Sequence, residues 1–418
     1  MSLTSVPGVN IIGAGLAGSL LAILLGKRGF NVTVYERRPD PRLSLVNGGR
    51  SINLALAARG IRGLELAGVL DRVMPLATVM RGRMVHEYDG QVALQMYGVR
   101  PDEVIYSVSR ADLNRVLIEA AAALPNVTLN FGQLCLGLAH EKTVLEVRDE
   151  ATGRIYHTAP QPSIATDGAG SEVRDSLLAR EVATVREEPL AHAYKELTIP
   201  ARDGKHVMEP NALHIWPRGG FMLIALPNLD GTFTATLFLA QHGPNSFDEL
   251  NSPGAVEGFF TREFPSARAL MPDLTREFFE HPQGSLGTVY TQGWHLDGDV
   301  LLLGDAAHAI VPFHGQGMNC AFEDCAELIR LMDRHTSWAG LFAAFEAERR
   351  PNTDAIAQMA LENYVEMREA VLNDEYRRKK KEAEELERLD PNFIPRYSKV
   401  MFHPEIPFRD VRGSKGLP

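Results

Sequence analysis

Gly13, Gly15 and Gly18 constrain this chain most, because they stand between an apolar β-rich run, Val9-Asn10-Ile11-Ile12, and an apolar stretch of helical length, Leu16 to Leu25. Strand, glycine turn and helix lead on to a second β-branched run, Asn31-Val32-Thr33-Val34-Tyr35, ending at Glu36, about 20 residues past the glycines. The order predicts a parallel βαβ unit, with Gly26 and Gly29 closing its helix. In such a unit the first glycine permits a tight turn, the second lets the backbone approach a pyrophosphate, and the third lets helix pack closely on strand. The first N–H groups of the helix have no intrahelical partner and serve the phosphates. Glu36 holds the position of a ribose-binding carboxylate, so Arg37 and Arg38 read as solvated charge rather than as a 2′-phosphate site. Whether the dinucleotide is a flavin or a nicotinamide stays open at this point.

Two later segments have the same strand-to-loop character. Asp299-Val300-Leu301-Leu302-Leu303 runs into Gly304-Asp305, placing a carboxylate just past a strand's C-terminal end, where α/β sheets bind ligands. Pro312-Phe313-His314 then leads through Gly315-Gln316-Gly317-Met318-Asn319 into a helical pattern, a second helix N-terminus that favours negative charge. Between these regions, Ile164-Ala165-Thr166 ends in Asp167-Gly168, followed by Ser171 as a helix cap.

Taken in this order, the three elements resemble the FAD-dependent aromatic hydroxylases of the 4-hydroxybenzoate hydroxylase type, which carry an N-terminal GxGxxG, a central Asp-Gly and a later Gly-Asp. The resemblance implies resident FAD. No second GxGxxG lies between a strand and a helix, so NADPH is expected only as a transient co-substrate. The resemblance assigns cofactor contacts to Gly13, Gly15, Leu16, Ala17 and Gly18, and to Glu36, Arg37, Arg38 and Ala55. It adds Arg110, Leu134 and Asp167, and finally Gly304, Asp305, Gly317, Met318 and Asn319. Thr166 departs from the small alanine frequent at its position in relatives.

Longer stretches are similar to the kynurenine-hydroxylating branch of that family: residues 36–40, 49–56, 80–86, 311–319, 361–367 and 393–398. This implies hydroxylation of L-kynurenine to 3-hydroxykynurenine in tryptophan degradation. NADPH would reduce FAD, and O₂ would give a flavin C4a-hydroperoxide whose terminal oxygen passes to the ring. The comparison puts Arg83, Tyr97 and Asn363 at the substrate's amino-acid end, with Tyr397 completing the site. A guanidinium fork beside phenol and amide donors suits an α-carboxylate. Phe313 and His314 adjoin the flavin helix and by position touch the substrate ring, without an acid–base role. The aniline nitrogen itself activates C3, so no protein nucleophile or metal is called for. The alternative is a flavin hydroxylase of another aromatic amine or acid; from a different class, a non-enzymatic binding protein on the same nucleotide fold competes.

The fold class expected is α/β: a discontinuous Rossmann-like FAD-binding domain (1–75, 100–180 and 285–330) with an inserted antiparallel-sheet substrate domain (76–99 and 181–284) and a C-terminal helical region (331–418). The inserted sheet is expected to include strands over 212–216, 221–226 and 232–239, with Leu229-Asp230-Gly231 as a hairpin turn. Residues 340–390 read as helices, the basic run at 377–381 pairing with Glu384, Glu385 and Glu387 on a solvated face. With 43 Lys and Arg against 53 Asp and Glu, the net charge of -10 argues against nucleic acid. Three cysteines without a CxxC pair support neither a disulfide framework nor a zinc site. Without a signal-like N-terminus or the apolar C-terminal tail of mitochondrial relatives, a cytoplasmic chain with no membrane contact is expected. A homodimer is the assembly to test.

Overall fold

The computed structural model describes residues 3, 8–43, 53–140, 143–368, 374–390 and 392–413; positions 49–52 of the second quoted stretch lie outside them. Strand Gly8–Ile12 pairs in parallel with Asn31–Glu36 on one side and Ser163–Ala165 on the other. Val300–Leu302 and Val127–Phe131 extend the sheet in parallel, and His295–Leu296 adds a short antiparallel edge. Parallel strands need crossovers, so both faces are covered and the inner strands are largely apolar. Val9, Ile11, Val34, Ile164 and Leu301 are fully buried accordingly. Because the strands run the same way, their C-terminal ends at Ile12, Glu36, Ala165 and Leu302 open onto one edge.

Helix Leu16–Lys27 packs on this sheet. It runs past Gly26, expected to end it, and the chain turns instead at Gly29, whose φ of 87° suits glycine. Gly26 serves packing: a Cβ there would stand 2.7 Å from Val127 Cγ2.

The second layer is a seven-stranded sheet in the order 283–292, 184–199, 233–240, 222–227, 212–217, 82–86 and 92–96. Its centre is the expected meander, with Met222–Pro227 and Phe233–Ala240 joined by a turn in which Asn228 N–H donates to Thr232 O. The sheet is not wholly antiparallel: Ala212–Ile215 runs parallel to Gly82–Val85, because that strand arrives from a distant part of the chain rather than through a hairpin. Strand Gln283–Gln292 crosses the boundary drawn at 284/285, and Ala77–Met80 pairs in a separate small sheet with Ile105–Ser109.

Alternation along Phe233–Ala240 sorts its side chains. Phe233, Ala235, Leu237 and Leu239 pack under helices Pro253–Glu263 and Leu274–Glu280, while Phe238 joins a second core with Met222, Phe313, Ile356 and Tyr364. Burying a Phe or Leu in this way contributes about 1.5–3 kcal/mol each. Helix Trp338–Arg368, with Pro351 inside it, and helices Asp374–Leu389, Arg396–Phe402 and Phe408–Gly413 close the C-terminal side. Among the described residues, no helix is long and apolar enough to cross a membrane.

Candidate active site

A cavity of about 520 Å³ lies between the parallel sheet's C-terminal edge and the inner face of the seven-stranded sheet. At one end it is lined by Gly15, Leu16, Ala17, Arg110, Gly168 and Asp305, and at the other by Arg83, Tyr97, Phe313, His314 and Tyr397. Ala55, Gly317 and Met318 line it between. Residues assigned from the resemblance to cofactor and to substrate therefore share one space.

The glycine turn divides its labour as the spacing predicts. Gly13 has φ of 95°, and a Cβ there would meet Thr166 O at 2.7 Å. A Cβ on Gly18 would stand 1.9 Å from Gly13 O, so only glycine lets the helix sit this close to the turn. Around a Cβ on Gly15 there is nothing within 4 Å. Thr166, the departure from alanine, uses its hydroxyl to bind Ile12 O (2.8 Å) and Gly13 O (3.1 Å), fastening the central loop to the turn. Arg174, nearly buried, donates to Ala169 O (2.7 Å) and Ala306 O (3.3 Å) and so joins the Asp-Gly and Gly-Asp corners.

Asp305 lines the cavity with its side chain exposed to that space, and desolvation by the surrounding protein, partly offset by His308 and Arg110, raises its pKa. Burial likewise raises Asp167, whose Oδ1 has no hydrogen-bond partner among the described residues. Glu36 Oε2 accepts from Ala14 N–H (2.7 Å) and Oε1 from Arg38 N–H (2.9 Å), which keeps the carboxylate against the glycine turn. The cavity lining does not include Glu36, Arg37, Arg38 or Leu134. Arg37 and Arg38 are exposed beside the turn; Leu134 sits on strand Gln133–Leu138 of a separate three-stranded sheet. These donors and acceptors fit an FAD: open space above Gly15 and Gly168 for the pyrophosphate, helix N–H groups at Leu16 and Ala17, and a carboxylate at Asp305 facing the cavity for a ribityl hydroxyl.

Asn319, expected among the cofactor contacts, uses its side chain on backbone groups. The amide donates to Ala55 O (2.8 Å) and Gly315 O (2.7 Å) and accepts from Ala57 N–H (2.9 Å), so its capacity is spent on backbone. It fastens strand Asn53–Leu56 to the start of helix Gly317–Met332.

At the far end, Tyr97 and Tyr397 stack at 5.6 Å, and His314 stacks on Tyr397 at the same separation. The Arg83 guanidinium lies 5.0 Å from the Tyr397 ring centre and 5.7 Å from that of Tyr97, and is itself buried. Burial raises the pKa of both tyrosines against the lowering effect of Arg83, so they stand as neutral hydroxyls. Burial, reinforced by Arg83, brings His314 down to about 3, leaving a neutral imidazole. Phe313 stacks on Tyr364 at 3.8 Å and meets Phe238 edge-on at 5.0 Å. Asn363 Nδ2 donates to Phe313 O (2.7 Å); its side chain holds the aromatic wall and lines a smaller adjoining cavity rather than the large one.

The sequence reading missed a buried ion network behind the Gly-Asp corner. Asp324 Oδ2 accepts from Gly304 N–H (3.2 Å) and bonds His308 Nε2 (2.6 Å), while Oδ1 accepts from Arg349 Nε (2.7 Å). Arg349 also pairs with Glu323 (2.7 Å), which pairs with Arg59. Burial would raise Asp324, but the charges of His308 and Arg349 and their hydrogen bonds hold it below the ordinary carboxylate value. His308, Cys320 and Asp324 lie close enough to suggest a metal cluster, yet Arg349 occupies the carboxylate's other oxygen. An aspartate inside an otherwise apolar helix face was the available signal.

Comparison with known proteins shows the family. An FAD-binding-domain family model matches residues 7–360. Kynurenine 3-monooxygenase of Stenotrophomonas maltophilia (strain K279a) is 48% identical over 396 residues, covering 94% of this chain and 87% of that protein. Its Myxococcus xanthus (strain DK1622) counterpart is 46% identical over 403 residues, covering 96% and 87%. The chain belongs to the kynurenine 3-monooxygenase family. Like that FAD-dependent monooxygenase family, it is an enzyme with FAD as its cofactor. Solved structures agree on the fold: the tetrameric form of 2-methyl-3-hydroxypyridine-5-carboxylic acid oxygenase has a TM-score of 0.70 at 20% identity, covering 85% of this chain and 90% of that one. Pseudomonas aeruginosa PqsL in complex with 2-aminobenzoylacetate has a TM-score of 0.69 at 22% identity, covering 86% and 96%.

Proposed function

We propose that the chain hydroxylates L-kynurenine at C3, with FAD bound, NADPH as reductant and O₂ as oxidant. One observation carries the proposal: a single cavity joins the dinucleotide corner at Gly15 and Asp305 to an arginine–tyrosine cluster at Arg83, Tyr97 and Tyr397. The bound flavin supplies electron transfer from NADPH and activation of oxygen. The remaining work falls to the chain's own residues.

Arg83 offers a planar cationic fork to the substrate carboxylate, in a buried setting where a charge-assisted hydrogen bond is about twice as strong as a neutral one. Tyr97 and Tyr397 keep their protons and serve as further donors. Phe238 and Phe313 present apolar faces for the aniline ring, and Met222, Leu213 and Leu226 exclude water from it. His314 is a neutral imidazole at neutral pH rather than an acid, so its part is to stack and shape. The N-terminus of helix Gly317–Met332 directs its positive end into the cavity at Gly317 and Met318, where it would favour negative charge on a bound flavin. Activation of C3 comes from the substrate's own amino group.

The test is mass analysis of the product formed from kynurenine, NADPH and O₂ by the purified holoenzyme. One added oxygen, with NADPH oxidation stimulated by kynurenine, is the expected result. Unchanged kynurenine would dismiss this substrate in favour of another aromatic amine or acid.

A further inference from the structure

Arg59 is almost wholly buried, yet it lines neither the large cavity nor the smaller one beside it. It stands in the first turn of helix Ala58–Ala67, directly after strand Asn53–Leu56, whose Ala55 lines the large cavity. A buried guanidinium needs acceptors, and four of its five N–H groups have them. Nη1 donates to Glu323 and to Pro404 O (3.1 Å), and Nη2 to His403 O (3.3 Å) and Ile406 O (2.6 Å). The Phe408 ring closes one side, its centre 3.9 Å from the guanidinium carbon. All these partners except Glu323 come from the C-terminal segment 403–408.

His403 is the C-cap of helix Arg396–Phe402, where the last carbonyl groups have no intrahelical partner and the helix dipole favours a cation. Arg59 meets both needs from the other end of the chain. The same short helix places Tyr397 and Met401 in the wall of the large cavity. Apolar packing at Val400 and Met401 holds this helix down without direction, whereas the guanidinium bonds are directional and set where it lies. Glu323, which balances Arg59, is shared with Arg349 of helix Trp338–Arg368, so the anchor is itself fixed. We propose that Arg59 is a positioning residue for the substrate site, clasping helix Arg396–Phe402 so that Tyr397 and Met401 stay in the cavity wall. The inference rests on the proposed reaction, whose ring end this wall shields from water. It goes beyond that reading by making substrate affinity and product yield depend on a side chain outside both cavities.

Arg59→Lys keeps a cation for Glu323 but replaces a planar fork with a point charge that cannot span three carbonyls. Wild-type and variant holoenzymes are compared by amide hydrogen exchange and by kinetics per bound flavin. Exchange over residues 396–402 should quicken about tenfold or more in the variant, while that of helix Gly317–Met332 stays within about twofold. The KM for kynurenine should rise about tenfold, as loss of a charged hydrogen bond gives. The share of oxidised NADPH recovered as hydroxylated product should fall about twofold, with the balance found as hydrogen peroxide, since a displaced wall admits water. A lower thermal midpoint with exchange, KM and yield unchanged assigns Arg59 to packing and overturns the inference, as does quicker exchange with KM and yield unchanged. Wild-type enzyme indifferent to kynurenine sinks the substrate reading instead; exchange over 396–402 then decides the clasp, quickening upholding it and wild-type exchange overturning it. Should Arg59→Lys fail to fold, Phe408→Leu takes its place, leaving Arg59 and Glu323 and removing only the ring beside the guanidinium. It should move exchange and KM about threefold in the same directions, and wild-type values for both overturn the inference.

Discussion

Gly15 and Gly18 are three residues apart in one turn, yet their surroundings predict opposite outcomes for the same substitution. Alanine at Gly18 drives a methyl group into Gly13 O at 1.9 Å, a backbone atom that cannot step aside. Gly18→Ala is expected to destabilise the FAD-free protein by about 1–3 kcal/mol, read from its urea midpoint. Alanine at Gly15 meets nothing within 4 Å and leaves that midpoint unchanged, but it fills room kept for pyrophosphate. FAD affinity by absorbance titration should therefore fall about tenfold or more, as for a lost charge-assisted contact. Equal destabilisation by both variants would show that the space above Gly15 has no reserved occupant. Arg83 gives a second contrast. Arg83→Lys keeps the cation and loses the fork, so steady-state kinetics should show KM for kynurenine raised about tenfold with kcat less affected; Arg83→Ala should raise it further with FAD still bound. Release of the flavin by Arg83→Ala would move this residue to the cofactor.

Helix Gly317–Met332 shows what was legible at the level of elements and what was not. Its start could be read from Gly315-Gln316-Gly317, because a glycine turn before an apolar periodic stretch is a local signal. So could strand Gly8–Ile12, the helix after it and the alternation of Phe233–Ala240, each fixed by residues close in sequence. The helix's hold on its surroundings could not be read. Asp324 meets Gly304, His308 and Arg349, and Asn319 meets Ala55 and Ala57, across separations that no periodicity encodes. Glu387, expected to pair on a solvated face but 4% exposed, eluded the reading for the same reason: its helix has a highly charged composition, and only the fold shows which carboxylate turns inward. Asp324→Asn keeps the shape but leaves Arg349 with Glu323 as its remaining carboxylate partner in a site without solvent. Breaking a buried pair in this way typically costs about 3–5 kcal/mol, so the urea midpoint should fall steeply. Loss of the grip on Gly304 should also release FAD more readily on dilution. A variant with wild-type stability and flavin retention would reduce the network to incidental packing.

Across the whole molecule, acid should act through histidines that the fold keeps neutral on opposite sides of the substrate layer. His86 and His214 share a hydrogen bond of 2.8 Å, and His86 stacks on Trp216 at 4.2 Å, beneath Arg218, which donates to His86 O. Burial, then His214 and Arg218, bring His86 down to about 3; His314 is also near 3. Since both have folded pKa values below the ordinary 6.5, the unfolded chain binds more protons between those limits, and stability falls as pH drops from about 6.5 toward 3. Each such histidine contributes a slope of up to about 1.4 kcal/mol per pH unit within that window. Asp305 and Asp167, with raised values, act in the opposite sense, so the decisive quantity is a difference between variants. His86→Phe preserves an aromatic ring against Trp216 and removes one titrating group. Urea unfolding of wild type and variant at pH 5 and 6.5 should show a shallower pH dependence in the variant, by up to about 1.4 kcal/mol per unit. Identical slopes would mean that His86 accepts its proton without disturbing the sheet, and would leave acid sensitivity to His314.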